Sequence, residues 1–549
     1  MRPAVRVAIV GVLVIAAPPW LPAQEVPPDL VLLNGKVVTV DERFSVVQAV
    51  AIKGDRIVRV GTDQDVTRLA GPATRRLDLR GRTVIPGLID NHMHLLRAGA
   101  TWQSEVRLDG VGSRKQALTM LRSRVEATPP GEWVYTLGGW TVDQFSDDPS
   151  PISRAELDRV APDNPVLLQA SYYASYLNSR ALTALGLGAD APPWAARDGS
   201  GRLTGVVAEA GIRTLAARLP VARGTALEAS TRLMIRDLNA MGLTAFGSAG
   251  CEDDVLPVYR RLSEKGELNV RVFCITGTTA GSPAQVESAL PIVRQMNVRQ
   301  GNSVIDHVAY GEGVYGPLHD PMFVRASAPR PDELLQWRRL ATEIARARLP
   351  LHVHANLTAT IDAFLDQIEV IDKEHPIAGL RWTLAHVNQL TPVHLARMKK
   401  LGVAAAVHPW AIINGGINRG VFGAAALEFT PLKDIEDSGV VWGLGSDGSR
   451  ANQIKPFTTL WWAVTGRMVG GATVMRQPIS REAALAAHTR RNAYFVFQEA
   501  NLGSIEPGKL ADLLVLDRDY LTVPADQIKD IAPVMTLVGG RIAYDAAAR

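Results

Sequence analysis

The chain has 549 residues, enough for a large domain with an accessory one and too many for a single small core. Apolar residues make up 47% and charged residues 21%, an ordinary globular balance that excludes a largely disordered chain. With 59 basic residues against 55 acidic ones, the formal net charge is only +4, which leaves no electrostatic case for a nucleic-acid partner.

In chain order, the first element is a leader. Arg2 and Arg6 precede an apolar run from Val7 to Ala17, Pro18 and Pro19 end it, and Ala23 suits cleavage before Gln24. Residues 1–23 therefore read as a secretory signal, with an uncleaved anchor as the alternative. The run is too short to favour a membrane span, and no other stretch is apolar enough for one. The mature chain is expected to be soluble and either periplasmic or secreted. Residues 24–85 follow as short strands with hairpin punctuation. Leu30–Leu33 and Lys36–Val40 flank Asn34-Gly35, a dipeptide suited to a type I′ turn, and Val46–Ile52 and Arg56–Val60 flank Lys53-Gly54-Asp55.

Residues 86–495 alternate apolar strands with helical segments. The strand candidates are Val84–Ile89, Leu243–Phe246, Val270–Thr276, Val304–Ala309, Leu351–His354, Trp382–His386, Val403–Val407 and Val440–Gly445. Asp332–Arg348 puts Leu334, Trp337, Ala341, Ile344 and Ala345 on one helical face, and Glu482–Phe497 reads as a helix with Ser480 as its cap. Eight such alternations predict an α/β chain folded as a (β/α)₈ barrel, with a Rossmann-type sheet as runner-up. Residues 97–241 are a long insertion, rich in turns and aromatics, expected to cover the barrel mouth. Residues 496–549 return to strands, Asp512–Asp517 and then Met535–Val538 and Arg541–Tyr544 around Gly539-Gly540. Neither end has apolar surface for its own core, so both termini are expected to build one small β-sandwich domain.

Several of the eleven histidines share one kind of position, the C-terminal end of a predicted strand. His92 and His94 lie two apart, so in extended backbone both imidazoles face one way. His354 ends the fifth strand, His386 the sixth, and Asp447 follows the eighth. In a barrel these ends converge on the face where barrel enzymes work. Imidazoles with a carboxylate suit Zn²⁺ or a similar divalent ion and leave room for water. Such an ion activates water, Asp447 is placed as general base, and His386 either binds the carbonyl oxygen or is a ligand itself. The reaction expected is hydrolysis of a C–N or related bond in a small-molecule substrate. Of the other histidines, His352 is expected to pack behind the site, and His307 and His408 could stand beside it. His488 reads as structural, and His319, His375 and His394 as solvated.

Gly311–Gly316 and Gly443–Gly448 both match G-x-G-x-x-G, but neither opens a helix early in a βαβ unit, so tight strand-end turns are the better reading. Cys251 and Cys274 are the only cysteines. Cys274 sits in an apolar strand, which favours a buried free thiol over a disulfide. Trp102, Trp133, Trp140, Tyr172, Tyr173 and Tyr176 of the insertion, with Trp410, Trp461 and Trp462 of later loops, suit an apolar or aromatic substrate group, and Trp140, Tyr173 and Tyr310 are the candidates chosen. Lys455 and Arg450 could meet a substrate carboxylate.

The sequence resembles the amidohydrolase superfamily over essentially all of the mature chain, and within it the family 3 branch of YtcJ-like proteins and N-substituted formamide deformylases. The resemblance is carried by Val84-Ile-Pro-Gly-Leu-Ile-Asp-Asn-His-Met-His, Leu177-Asn-Ser-Arg-Ala-Leu, His354-Ala, Leu384-Ala-His, Gly445-Ser-Asp and Gly503-Ser-Ile-Glu-Pro-Gly-Lys-Leu-Ala-Asp-Leu. It implies a metal-bearing barrel with a sandwich of both termini, His92, His94 and His354 as metal ligands, and Asp447 as ligand or base. Many binuclear relatives bridge two metals with a carboxylated lysine on the fourth strand. Ser303–Gly313 contains no lysine. One metal per chain is therefore favoured, with Asp306 or Glu312 as the bridge if there are two. Tyr173 stands where the family often has histidine, suggesting a more apolar surround. Deaminases of the superfamily place a glutamate shortly after the fifth-strand histidine; here Ala355-Asn-Leu-Thr-Ala-Thr follows, so amide hydrolysis is preferred. A metal-assisted lyase, hydratase or isomerase and a non-catalytic periplasmic binding protein are the alternatives. A homo-oligomer is compatible with everything above.

Overall fold

The computed structural model of the chain describes residues 26–251, 254–322 and 328–548; the leader expected over residues 1–23 lies outside them. At its centre is an eight-stranded sheet whose neighbours pair in parallel and in chain order. Its strands are β1 (Leu88–Met93), β2 (Leu243–Ala249), β3 (Arg271–Ile275), β4 (Ile305–Glu312), β5 (Leu351–Ala355), β6 (Thr383–His386), β7 (Ala404–Val407) and β8 (Trp442–Leu444). All but β4 are buried along their whole length, as parallel strands covered by helices must be. That burial on both faces is why they appear in the sequence as continuous apolar runs.

Strand order without reversal argues against the Rossmann-type alternative, because a doubly wound sheet turns back at a switch point. Here β8 instead approaches β1, and polar groups complete the seam. The Asp447 N–H donates to the His92 carbonyl at 3.0 Å, and the Asn492 side chain donates to the carbonyls of Ile89 and Leu444 at 2.5 and 2.7 Å. Glycine is required at this seam. A Cβ on Gly443 would lie 2.1 Å from Asn492 Oδ1, and one on Gly445 2.4 Å from Asn91 Oδ1. The Gly443–Gly448 motif therefore serves barrel closure.

Two predicted elements divide in the structure. Val84–Ile89 splits at Gly87, with Thr83–Pro86 joining another sheet and Leu88 opening β1. A Cβ on Gly87 would sit 2.2 Å from Thr244 Oγ1, so the chain can turn there only without a side chain. The helix expected over Glu482–Phe497 is capped by Ser480 but breaks into Arg481–Ala487 and Arg490–Phe495. The break lets the His488 carbonyl accept from the Ile89 N–H of β1 at 2.9 Å. On the barrel's outside, Pro331–Arg346 buries Trp337, Leu340, Ala341 and Ile344, and Trp337 stacks on Phe364 at 4.5 Å.

Strands from both ends of the chain meet in one six-stranded sheet. Arg541–Asp545, Pro533–Val538 and Leu513–Leu516 continue into Thr83–Pro86, Lys36–Val38 and Val46–Val47. A four-stranded sheet of Arg56–Gly61, Ala49–Lys53, Leu30–Leu33 and Arg75–Asp78 lies beside it, and Leu32, Val50, Val84, Leu513 and Leu537 share one apolar cluster. Between β1 and β2 the insertion builds its own five-stranded sheet from Val134–Leu137 to Leu203–Ala208, with separate apolar clusters around Trp140 and Leu177. It is fastened to the loop after β8, where Gly139 N–H donates to the Arg450 carbonyl at 3.2 Å and Ser171 Oγ to the Ala451 carbonyl at 2.7 Å.

The free-thiol expectation for Cys274 is corrected. Cys251, just past β2, is disulfide-bonded to Cys274 of β3, with the two Cα atoms 5.7 Å apart. Parallel pairing of β2 with β3 brings Ser248 opposite Cys274, so the residue three further on reaches the neighbouring strand. The bond closes a segment of 23 residues. Replacing both cysteines by serine should cost about 3 kcal/mol, read as a lower urea midpoint with little change in slope.

Candidate metal centre

The ends of β1, β4, β5, β6 and β8 bring six side chains together. From β1 the extended backbone points His92 inward, with His94 one residue beyond the strand end. Glu312 is the last residue of β4, His354 is next to last in β5, His386 ends β6, and Asp447 lies three residues past β8. Glu312 stands among the histidines. Its Oε2 lies 3.2 Å from His92 Nε2, 3.4 Å from His386 Nε2 and 3.9 Å from His354 Nδ1, and its Oε1 lies 3.3 Å from His94 Nε2. Asp447 Oδ1 lies 3.3 Å from His94 Nε2 and 3.7 Å from His92 Nε2. Asp447 and His386 both adopt positive φ, 59° and 72°, which turns their side chains back over the barrel end.

Each imidazole has its outward nitrogen engaged, which leaves the other facing the centre. His94 Nδ1 donates to the Ala249 carbonyl at 2.7 Å. His354 Nε2 donates to Asp320 Oδ1, also at 2.7 Å, and Asp320 is itself held by the Asn356 and Leu357 N–H groups. His92 Nδ1 is 2.9 Å from His352 Nε2. His386 Nδ1 is 2.8 Å from His408 Nδ1, and His408 Nε2 in turn is 3.0 Å from Asn91 Oδ1. Fixing the far nitrogen as donor sets the tautomer that presents a lone pair to a cation. The arrangement fits a divalent metal on one further observation. His92 Nε2 and Asp447 Oδ1 are buried and have no hydrogen-bond partner, although such groups are costly to leave unsatisfied. Two sets of three donor atoms, His92–His94–Asp447 and His92–Glu312–His386, each lie within 4.8 Å of one another.

Electrostatics favour the same ligand. Burial pushes Glu312 upward, but His92 and His94 outweigh it and hold the carboxyl well below its ordinary range. Asp447 is likewise held low by His386, His94 and His92 against burial. His386 is lowered to about 4, first by burial and then by His354, so it stays neutral. Burial also drives His352 and His408 well below the ordinary value, which keeps them uncharged behind the ligands.

The sequence-derived candidates distribute unevenly. His92, His94, His354, His386, Asp447 and Glu312 converge, whereas Asp306 lies at the start of β4 and spends Oδ1 on the N–H groups of Gly301 and His307. His307 bonds the Thr276 carbonyl away from the centre. His352 and His408 stand directly behind it. His394, expected in solvent, is buried against Asp362 at 3.0 Å. His319 is exposed, as expected, but it also lines the cavity over the centre, where its ring stacks on His354 at 3.7 Å. His488 is buried in the helical break.

The cavity has a volume of 290 Å³ and is walled by Tyr172, Arg97, Arg213, Glu209, Met322 and Trp410 around the metal-facing groups. None of Trp140, Tyr173, Tyr310 and Lys455 lines it. Trp140 is sunk in the insertion's core and donates to Thr136 Oγ1, and Tyr310 donates to the Thr278 carbonyl behind β4. Tyr173 is 42% exposed, one residue beyond the cavity-facing Tyr172. Trp410 matters most among the aromatics, since its Nε1 donates to Asp447 Oδ2 at 2.7 Å. Asp320 had no marker of its own in the sequence, whereas Trp410 was legible there as one of the aromatic residues expected around the barrel mouth.

Comparison with known proteins gives the same answer as the geometry. The profile of the amidohydrolase family matches residues 75–544. The chain belongs to the amidohydrolase family. N-substituted formamide deformylase from Arthrobacter pascens is 28% identical, over 94% of this chain and 98% of that protein. A metal-dependent hydrolase from Pyrococcus horikoshii OT3 of uncharacterized role superposes with a TM-score of 0.64 at 21% identity, covering 90% of this chain and 99% of its own. Atrazine chlorohydrolase TrzN from Arthrobacter aurescens TC1, solved with zinc, superposes at 0.51 and 16% identity, covering 94% and 95%. In this amidohydrolase Asp320 is a positioning residue for His354. Asp320→Ala should weaken metal retention against a competing chelator by about ten- to a hundredfold, with Asp320→Asn milder and the circular dichroism of both unchanged.

Proposed function

We propose that the chain is an exported, metal-dependent hydrolase of an amide-like C–N bond in a small molecule. The observation that carries this reading is the set of four inward lone pairs with one buried and one half-buried carboxylate, Asp447 and Glu312, at the barrel's C-terminal end, beneath a cavity. His92, His94 and Asp447 would hold one divalent ion, and His354 and His386 a second. Glu312 stands between the two groups and uses both oxygens, which supports two ions over the single one expected from the missing lysine. Zinc suits a set of imidazole and carboxylate donors, and it is the ion in TrzN. Ions at these donors supply a water of lowered pKa and a Lewis acid for the substrate carbonyl.

The chain's own groups do the rest. Trp410 occupies Asp447 Oδ2, which leaves Oδ1 to take a proton from the attacking water and return it to the departing nitrogen. With Nε2 turned to Glu312, His386 acts as a ligand. Tyr172, Met322 and Trp410 offer the substrate an apolar surface, and the cavity's 290 Å³ limits it to a small molecule. The name of the formamide deformylase agrees with an amide as the bond class. Export is supported by the leader read in residues 1–23 and by the Cys251–Cys274 bond, which suits an oxidising compartment.

Metal analysis of the purified full chain should find about two ions, falling to one or fewer in Glu312→Gln and likewise to one or fewer in His92→Ala/His94→Ala. Asp447→Asn should lower kcat by about 10² to 10⁴. With ¹⁸O-labelled water, the acid product should carry solvent oxygen; a product without it would sink the hydrolytic reading.

A further inference from the structure

The cavity wall opposite the metal-facing groups is cationic. Arg97, on the short helix Leu95–Ala98, and Arg213, on Glu209–Ala216 of the insertion, both line it. Arg450 follows Asp447 by three residues, and its neighbour Ala451 also lines the cavity. Among the described residues, none of the three makes an ion pair, whereas Arg107 and Arg114 of the same insertion are each paired with carboxylates. Arg97 Nε is buried and has no hydrogen-bond partner. The guanidinium groups of Arg97 and Arg213 both act on that of Arg450. Arg450 is held below its ordinary value, first by burial and then by Arg97, with Arg213 adding to the effect.

Like charges gathered around one cavity are unfavourable unless an anion joins them, the more so at Arg97 and Arg450, which are half-buried, than at the exposed Arg213. The acidic groups nearby do not fill that role. Glu105 is engaged by Arg107 at 3.0 Å and by the Thr101 hydroxyl. Glu209 lies on the cavity wall beside Arg213, but burial raises it and it is one carboxylate among three cations. Arg213 itself sits over the Tyr172 ring, 5.1 Å from its centre, which fixes the guanidinium plane at the entrance.

Resting on the hydrolase reading above, we propose that Arg97 and Arg213, backed by Arg450, form a subsite for the carboxylate of the substrate. The substrate class is then an N-acylated amino acid or a related amide bearing a carboxylate. Its amide carbonyl lies over Glu312 and Asp447, its apolar part rests on Trp410, and its carboxylate reaches the arginines. A planar guanidinium can take a carboxylate through two parallel hydrogen bonds, so a neutral amide or ester of the same shape loses both the charge and the fork geometry.

The test is isothermal titration of N-benzoylglycine and N-benzoylglycinamide into the full-length, zinc-loaded protein, in an Asp447→Asn background that prevents turnover. The carboxylate should bind at least about tenfold more tightly than the neutral amide, and Arg97→Met and Arg213→Met should each remove about tenfold of that affinity. Both variants should leave the neutral amide's affinity within about twofold, which separates a lost contact from a damaged fold. Equal affinity for the two probes, no measurable binding of the carboxylate, or carboxylate affinity untouched by both arginine variants would overturn the subsite. The last outcome would place the carboxylate on the metal instead. Hydrolysis assayed in parallel with the unsubstituted enzyme keeps the two readings apart. Turnover of neutral amides with no arginine dependence would sink the subsite and keep the hydrolase. Arginine-dependent binding with no hydrolysis of any N-acyl compound would do the reverse.

Discussion

Glu312 and Asp447 are carboxylates sunk into the end of a barrel where water cannot fully solvate them, and that burial constrains everything around them. An ionised carboxylate in such surroundings costs several kcal/mol unless a positive charge or strong donors compensate it. The surrounding groups are four imidazoles whose outer nitrogens are already committed, to Ala249, His352, Asp320 and His408. A divalent cation satisfies both requirements together. It neutralises the carboxylates and takes up the lone pairs that the imidazoles hold out to it. The backbone accommodates this arrangement, with positive φ at His386 and Asp447 and with glycines where β8 closes on β1.

Around this centre the division of labour follows the architecture. The barrel supplies metal-facing groups from strand ends, which are rigid and whose positions the pairing register sets. The insertion between β1 and β2 and the loops supply the wall. Tyr172, Glu209 and Arg213 all come from the insertion, which is anchored to the loop following Asp447 through Gly139 and Ser171. The wall can therefore vary through residues that never touch the metal-facing set, while Trp410 ties it to that set through its bond to Asp447.

Much of the centre was legible in the chain because its geometry is local to strands. His92 and His94 two apart, and histidines or an aspartate at the ends of apolar runs, mark side chains that a parallel barrel must gather at one end. Glu312 was legible only as one of two options. It and Asp306 both lie on β4, six residues apart, and only the length of that strand shows which of them reaches the upper end. The substrate wall was poorly legible. Trp140 and Tyr310 are aromatic and near the right segments, but both are core residues with their polar atoms satisfied inside. Tyr172 rather than Tyr173 faces the cavity because the tight turn between two antiparallel strands of the insertion points neighbouring side chains apart. The disulfide was missed for a similar reason. An apolar strand around Cys274 is as compatible with a bond as with a buried thiol, and the partner's position depends on strand pairing.

By itself, the sequence determined what rests on periodicity and on short spacing: a parallel barrel with termini that fold back together, the histidine and aspartate strand ends, and a chemistry based on a divalent metal. Tertiary structure alone decided what depends on contacts between segments far apart in the chain. It placed Glu312 among histidines from three other strands, set Asp320 behind His354 and Trp410 on Asp447, and paired Cys251 with Cys274. It also brought Arg97 and Arg213 to one cavity, with Arg450 close behind them. The physical reason is range. Strand alternation and apolar runs are enforced residue by residue along the backbone, whereas the partner of a buried charge is set by which distant loops the packed barrel brings within a few ångströms.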